Sequence, residues 1–400
     1  MARTRKSRRT TGAIRALPSG RYQARARTPD GRLIPAPRTF RTRADADAWL
    51  ASVTTDQTRG EWIDPEVAKT PFDRYARDWM AGKAALAPKT RDLYDYLLDR
   101  LLLPTFKDVA MADITPARVR VWRAKLLEAE RPGPSTVAKA YRLLSAIMTT
   151  AVVDNVVLRN PCLEKGAGVE RAPEMRIATP EQVAAIADSI EARYRALVLT
   201  AAYAGCRWGE LVGLKQRNLD LLHARLTVAE QVVELRGGQV LRREPKTAAG
   251  RRIVHLPAGL VKELSAHLDR FVRTDPDALV FPAPGGNVLR SSNFRSRHWL
   301  GATATAGVSG LRFHDLRHVA GTLATVSGAT IREVQGRLGH ASPAAAYRYQ
   351  HVLDNRDAEI AEKLDVVMQS AARAGAKRQP GPTPLNRRRR AGGSAKGVPG

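Results

Sequence analysis

Four short stretches put charged, imidazole or phenolic side chains where the surrounding apolar pattern would call for core residues. In "AAYAGCRWGELVGL" (201–214), Gly205 breaks an apolar helix, and Arg207 follows with Glu210 three residues on. A planar guanidinium held at a helix end can grip two oxygens of an oxyanion at once, and a carboxylate can orient it. Taken alone, an Arg/Glu pair at i, i+3 is an ordinary surface ion pair. In "EPKTAAGRRIVHLP" (244–257), Lys246 projects from a turn between two β-like runs. There it can protonate a leaving group, or be a solvated turn lysine. In "LRFHDLRHVAGTLAT" (311–325), His314 and Arg317 share a helical face, with His318 four residues after His314. A zinc helix would need a glutamate between the two histidines; Asp315 is no equivalent, so a cation beside a histidine suits phosphate better. In "LGHASPAAAYRYQHV" (338–352), Tyr347 and Tyr349 follow Gly339 and His340. Residues two apart on a helix point about 200° apart, so one phosphate can meet only one of these phenols.

Together the stretches supply two arginines, a lysine, histidines and a tyrosine, with Glu210 and Asp315 as the acids nearby. Metal-dependent nucleases hold two magnesium ions with clustered carboxylates. This set instead surrounds a phosphodiester with fixed cations and offers a phenol to attack it. The expected reaction is phosphoryl transfer through a covalent tyrosyl phosphate, with no metal and no other cofactor.

The elements that must position these groups are legible in outline. Four hundred residues predict more than one domain, and 44% hydrophobic residues suffice for real cores. No apolar run reaches the roughly 18–20 residues of a membrane span, and the N-terminus lacks a signal-peptide pattern. Cys162 and Cys206 are too few for a disulfide framework. The formal charge of +27 is shared out along the chain: residues 1–12 carry five positive charges and 371–400 carry eight, without an acid in either, leaving +14 for the middle. A nucleic-acid partner is the reading this balance favours.

Residues 1–12 form a basic, disordered arm. Two alternating runs near 20–27 and 34–41, joined at Pro29-Asp30-Gly31, predict a hairpin, and a short helix then completes a small domain over 13–65. From Thr70-Pro71 to 162 the pattern is all helical. Val137, Ala140, Tyr141, Leu144, Ile147, Met148 and Ala151 fall on one face there, with Lys139 and Arg142 off it. Residues 163–176 are polar, Gly-bearing and aperiodic, and read as a linker. Thr179-Pro180-Glu181-Gln182 is a capping box opening a last domain over 177–368. That domain reads as helices around a strand-rich stretch near 223–255. The tail over 371–400 has too few apolar residues to fold.

The order Arg207-x-x-Glu210, Lys246, His314-x-x-Arg317, Leu338-Gly339-His340 and a terminal tyrosine resembles the tyrosine recombinases, specifically the phage-type integrases. The resemblance implies a multidomain fold: a small β-sheet-plus-helix arm-type DNA-binding domain, an all-α core-binding domain, and a mixed, mainly α catalytic domain with a small antiparallel sheet. It also selects the tyrosine. In the family the nucleophile lies nine residues after the LGH histidine, which is Tyr349, with His351 two further on; Tyr347 takes a position commonly held by an apolar residue and is expected to be a packing residue. By the same carry-over Arg207 and Arg317 bind the non-bridging oxygens, and Lys246 protonates the departing 5′-hydroxyl. His314 and His340 assist proton transfer and phosphate binding, and Glu210 supports the site. Ala345-Ala346 departs from the threonines common there.

The implied function is site-specific integration, and excision, of a phage or mobile element in the bacterial cytoplasm, without ATP. The implied partners are double-stranded DNA at core and arm sites and three further copies in a homotetramer, with room for an excisionase and a host DNA-bending protein. No membrane is involved. Ile360, Leu364 and Val367 make an apolar stripe on a polar helix, which in the family packs on a neighbouring protomer. Three rivals are a DNA-binding remnant or regulator without catalysis, a chromosome-dimer resolvase, and a type IB topoisomerase. The six motif residues argue against the first, and the N-terminal module against the other two.

Overall fold

The computed structural model describes residues 11–129, 131–170, 176–245, 248–347, 349, 361–362 and 364–371. Contacts divide the chain into two units. The first takes in the chain up to 170 together with Val233–Leu241; the second runs over Arg176–Val232 and from Arg242 onward.

The first unit begins with an antiparallel sheet, β1 (Gly12–Ala16), β2 (Tyr22–Arg27) and β3 (Leu33–Pro35), in that spatial order. The β2–β3 pair is the predicted hairpin, turning where Gly31 has φ +88°. Strand β1 was not legible beforehand, because "GAIRA" is short and weakly alternating. Its place depends on the partner strand: a Cβ at Gly12 would lie 2.3 Å from the Arg25 carbonyl oxygen. Period-two alternation buries Ala24 and Ala26 and exposes Arg25 and Arg27. Helix α1 (Arg43–Arg59) lies on the buried side, with Leu50 and Val53 in a small core that Trp49 and Trp62 flank. Thr42 and Asp45 cap its start reciprocally, and Gly60, at φ +70°, ends it in the left-handed conformation.

A short helix, α2 (Pro65–Ala68), leads to the helical part of the same unit. This comprises α3 (Phe72–Ala81), α4 (Pro88–Leu97) running through a π-turn into α5 (Leu103–Phe106), α6 (Pro116–Glu128) and α7 (Pro134–Val153). All seven residues of the predicted α7 face are buried. Val137, Leu144, Ile147 and Met148 each contribute on the order of 1.5–3 kcal/mol of burial. Trp122 closes the core and donates its indole N–H to the Leu101 carbonyl at 2.8 Å.

Residues 163–170 differ from a free linker. The Glu164 N–H donates to the Tyr141 hydroxyl at 2.9 Å, Glu164 pairs with Arg123 at 2.6 Å, and Glu170 pairs with Lys139 at 3.1 Å and with Arg142. The segment is aperiodic, as its composition predicts, but its acids pair with basic residues of α6 and α7.

The second unit opens with α8 (Pro180–Ser189), whose Thr179/Gln182 capping box forms as predicted, and α9 (Ala192–Ala204). Next along the chain come α10 (Trp208–Val212), β4 (Leu219–Asp220), β5 (Arg225–Val228), β6 (Gln231–Glu234), β7 (Val240–Arg243) and β8 (Arg252–His255), with the Val233–Leu241 stretch of β6 and β7 falling in the first unit. Strands β4, β5 and β8 make one antiparallel sheet, with Leu226 opposite Val254; β6 and β7 pair separately. Then follow α11 (Ala258–Phe271), α12 (Ser291–Phe294), a π-turn, α13 (Leu300–Thr305), α14 (Asp315–Val326), α15 (Ile331–Leu338) and α16 (Ala344–Tyr347). Helices α9 and α14 pack together at the centre, and α15 lies against α14 and β8. The described residues over 361–371 are helical, with Leu364 and Val367 exposed; Ile360 lies outside the described residues. No described helix is long and apolar enough to cross a membrane.

Candidate active site

Gly205 brings the first arginine into place. It ends α9 with φ +71°, and a Cβ there would lie 2.4 Å from Leu338 Cδ2 and 3.0 Å from Ala320 Cβ. Only glycine lets the end of α9 close on both α14 and α15. The chain then turns so that the Arg207 N–H donates to Glu210 Oε2 at 2.8 Å, while the guanidinium reaches Glu210 Oε1 at 2.8 Å and the Gly339 carbonyl at 2.9 Å. The second arginine, Arg317, comes from the first turn of α14 and is buried. It donates to the Gly205 carbonyl at 2.5 Å and to the Leu338 carbonyl. Residues more than a hundred positions apart are thus tied into one cluster.

Glu210 is buried at the centre of this cluster and takes a second guanidinium, that of Arg252. Arg252 donates to Glu210 Oε2 at 2.9 Å, to Glu210 Oε1 at 3.2 Å and to the Arg337 carbonyl at 2.8 Å; its side chain is 6% exposed. Sequence reasoning missed this residue, although a signal was present. Arg252 shares the inward face of its strand with Val254 and Leu256, and a charge at an inward position needs a partner. Burial pushes Arg317 down to about 10, and the like charge of Arg207 adds to that. It therefore stays cationic at neutral pH. Cys206, buried between them, is pushed up to about 11 by burial, so its thiol stays neutral and offers no competing nucleophile.

His314 stands at the rim with its ring partly open to solvent. The protein packed beneath it, followed by the charge of Arg317, holds its imidazolium below the usual histidine range. Its ring meets His318 edge-on at 5.3 Å. His340 follows Gly339, whose φ of +64° ends α15, and its backbone is closed by hydrogen bonds with Gln335 in both directions.

The two tyrosines part company. Tyr349 is 1% exposed, with its hydroxyl 3.0 Å from His318 Nδ1 and its ring parallel to that of His340, at 11° and 6.2 Å between centroids. A niche over Gly321 receives it: a Cβ at that glycine would lie 2.7 Å from Tyr349 Cζ. Tyr347 is 55% exposed and borders a cleft of about 630 Å³ lined also by Arg251, Arg332 and His340. This corrects the expectation that Tyr347 is the packing residue. Helix α16 ends at Tyr347, and Tyr349, whose N–H donates to the Ala346 carbonyl at 3.1 Å, lies buried beyond it. In the free protein, tetranitromethane is expected to nitrate Tyr347 and spare Tyr349, as peptide mapping would show; equal nitration would contradict this burial.

Lys246 and His351 lie outside the described residues. The flanking strands β7 and β8 are in place, and β8 carries Arg252 into the cluster. Among the described residues, no group of three or more His, Cys, Asp or Glu side chains is arranged to hold a metal ion. Asp315 instead accepts from the Arg312 backbone N–H at 2.8 Å and from its guanidinium.

The fold and this clustering of arginines, histidines and a tyrosine define a class of multidomain tyrosine recombinases. Residues 10–59 match the N-terminal domain of phage integrases, and residues 176–356 match the phage integrase family. The chain belongs to the phage integrase family. It is 36% identical over 368 residues to the putative prophage phiRv2 integrase of Mycobacterium tuberculosis, covering 90% of this chain and 96% of that one. Among solved structures it resembles the Tn1549 transposon integrase in complex with transposon right-end DNA, with a TM-score of 0.61 and 16% identity over 70% of this chain and 94% of that one. A lambda integrase tetramer bound to a Holliday junction aligns with a TM-score of 0.50 and 16% identity over 84% of this chain and 97% of that one. At such identities the structural likeness concerns the fold. By family the chain is a site-specific DNA integrase.

Proposed function

We propose that this integrase cleaves and rejoins DNA one strand at a time through a 3′-phosphotyrosyl bond at Tyr349. The observation that carries the reading is the seating of the Tyr349 phenol among His318 and His340, beside an Arg207–Arg317 pair fixed by carbonyls of the same loops. In this reading Arg207 and Arg317 bind the non-bridging oxygens of the scissile phosphate, where preorganised cations offset the charge that develops in the transition state. Lys246 serves as the acid for the departing 5′-oxygen, His314 and His340 contact the phosphate, and Glu210 holds Arg207 in place. The arginine-studded module over 13–65 binds arm sites, and the helical module over 70–162 grips the crossover core, joined through 163–176 to the catalytic domain over 177–368. Four copies act on two DNA sites, and an excisionase and a host DNA-bending protein set direction in the bacterial cytoplasm. The exposed Leu364 and Val367 support a C-terminal helix that docks on a neighbouring copy.

The test uses a nicked substrate whose cleaved fragment diffuses away and traps the intermediate. A covalent protein–DNA adduct is expected in excess EDTA, since Arg207, Arg317 and Lys246 do the work of metal ions, and its peptide should map to Tyr349. Loss of the adduct on chelation, restored by magnesium, would show that the site works otherwise.

A further inference from the structure

The Tyr349 hydroxyl has to lose a proton before or as it attacks phosphorus, and the geometry around it offers a direct acceptor. His318 Nδ1 lies 3.0 Å from that hydroxyl, within direct hydrogen-bond reach, on the helix where His318 directly follows Arg317. The other two histidines of the cluster are placed differently. His340 lies nearly parallel to the phenol ring, at 11° with 6.2 Å between ring centroids. His314 meets His318 edge-on at 5.3 Å, one ring further out at the solvent rim. The contact between His318 and Tyr349 is also built rather than incidental. Gly321, one turn along α14 from His318, leaves the space that the phenol ring fills, and any side chain there would collide with it.

We infer that His318 is a catalytic residue of this integrase, the base that takes the Tyr349 proton during strand cleavage and returns it during ligation. The inference rests on the reading of Tyr349 as nucleophile. In the cleavage step the Oη–H bond of Tyr349 breaks and its proton passes to the Nδ1 lone pair of His318. The Oη–P bond forms and the P–O5′ bond breaks, and the 5′-oxygen takes its proton from a separate acid, the role given above to Lys246. Ligation runs the same steps backward. Arg317 is close enough to Tyr349 to interact with its charge, so a guanidinium is at hand as the phenolic oxygen becomes negative. The rings that meet His318 are His314, edge-on at the start of its own helix, and Tyr349 from the segment after α15, with His340 lying against Tyr349 in turn.

Single-turnover cleavage of the nicked substrate by the full chain tests this. His318→Phe keeps a ring in the site and removes the nitrogen; cleavage should fall by about 10²–10⁴-fold with core-DNA affinity unchanged. His318→Ala should regain part of its rate from added imidazoles, in proportion to their basicity. A substrate with a 5′-thiol leaving group, which needs no proton, should restore Lys246→Ala and leave His318→Phe slow. The deciding measurement needs no change at 318: the otherwise wild-type chain carries a difluorinated, more acidic tyrosine at 349. If a base takes the proton, the rising limb of the pH–rate profile stays where it was; a limb that moves down with the phenol's acidity overturns the inference. So does a His318→Phe protein that cleaves within a factor of about three of wild type, well short of the smallest loss expected for a missing base. An adduct that survives Tyr349→Phe would instead overturn the nucleophile assignment, which separates the two failures.

Discussion

Tyr349→Phe is expected to abolish the covalent adduct on the nicked substrate, and Tyr347→Phe to leave it near the wild-type amount. The loss should be on the order of 10⁶-fold, the scale seen when an enzyme loses its attacking atom, because the oxygen that bonds to phosphorus is gone. Little else should change. The phenylalanine ring still fills the niche over Gly321 and still lies against His340. What disappears from the fold is the hydrogen bond to His318, worth about 0.5–1.5 kcal/mol net. Core-DNA affinity and thermal stability therefore serve as internal controls, measured on the same preparations by filter binding and calorimetry. Tyr347, half in solvent beside Arg251 and Arg332, has no comparable partner atom among the described residues. An adduct that persists in Tyr349→Phe and vanishes in Tyr347→Phe would exchange the two assignments.

Glu210→Gln should be costly to both stability and rate. The carboxylate is buried between Arg207 and Arg252, and losing its charge leaves two guanidiniums facing each other with no anion between them. Breaking a buried pair in this way costs about 3–5 kcal/mol, to be read from urea denaturation of the full chain. Arg207 would keep its bond to the Gly339 carbonyl but lose the partner that fixes its fork, and misplacement by an ångström is enough for roughly a 10²-fold loss in cleavage. The pH dependence has a definite sign. Burial raises the Glu210 carboxyl, but the hydrogen bonds and charge of Arg252, with the Arg207 N–H, outweigh it and hold the group below the usual carboxylate range. A group whose folded value is depressed contributes stability above its unfolded value, about 4.3 for glutamate, and loses it as pH falls through the folded value. The wild-type chain should thus lose stability through that acid window more steeply than Glu210→Gln. Parallel acid profiles for the two proteins, or a variant as stable as wild type, would remove Glu210 from the centre of the site.

The sequence by itself determined what is local or periodic about this protein. The α7 face, the Thr179/Gln182 cap, the hairpin around Gly31 and the α9 end at Gly205 follow from spacing within one turn or one strand, and each formed as read. The residue types of the motifs were equally plain, since Arg207-x-x-Glu210 and His314-x-x-Arg317 announce their chemistry within four positions. Tertiary structure alone decided who meets whom. That Glu210 shares its charge with Arg252, forty-two residues on, depends on β8 packing beside α10 and α15. That Glu164 and Glu170 tie down the start of a supposed linker depends on where α6 presents Arg123 and α7 presents Tyr141, Arg142 and Lys139. The fate of the two tyrosines turned on the same kind of fact. Tyr349 goes inward because Gly321, on another helix, leaves a ring-sized space beside His318. Local spacing fixes which way a side chain leaves its own backbone; the partner across the gap is set only when distant elements pack, and burial then makes that pairing energetically obligatory.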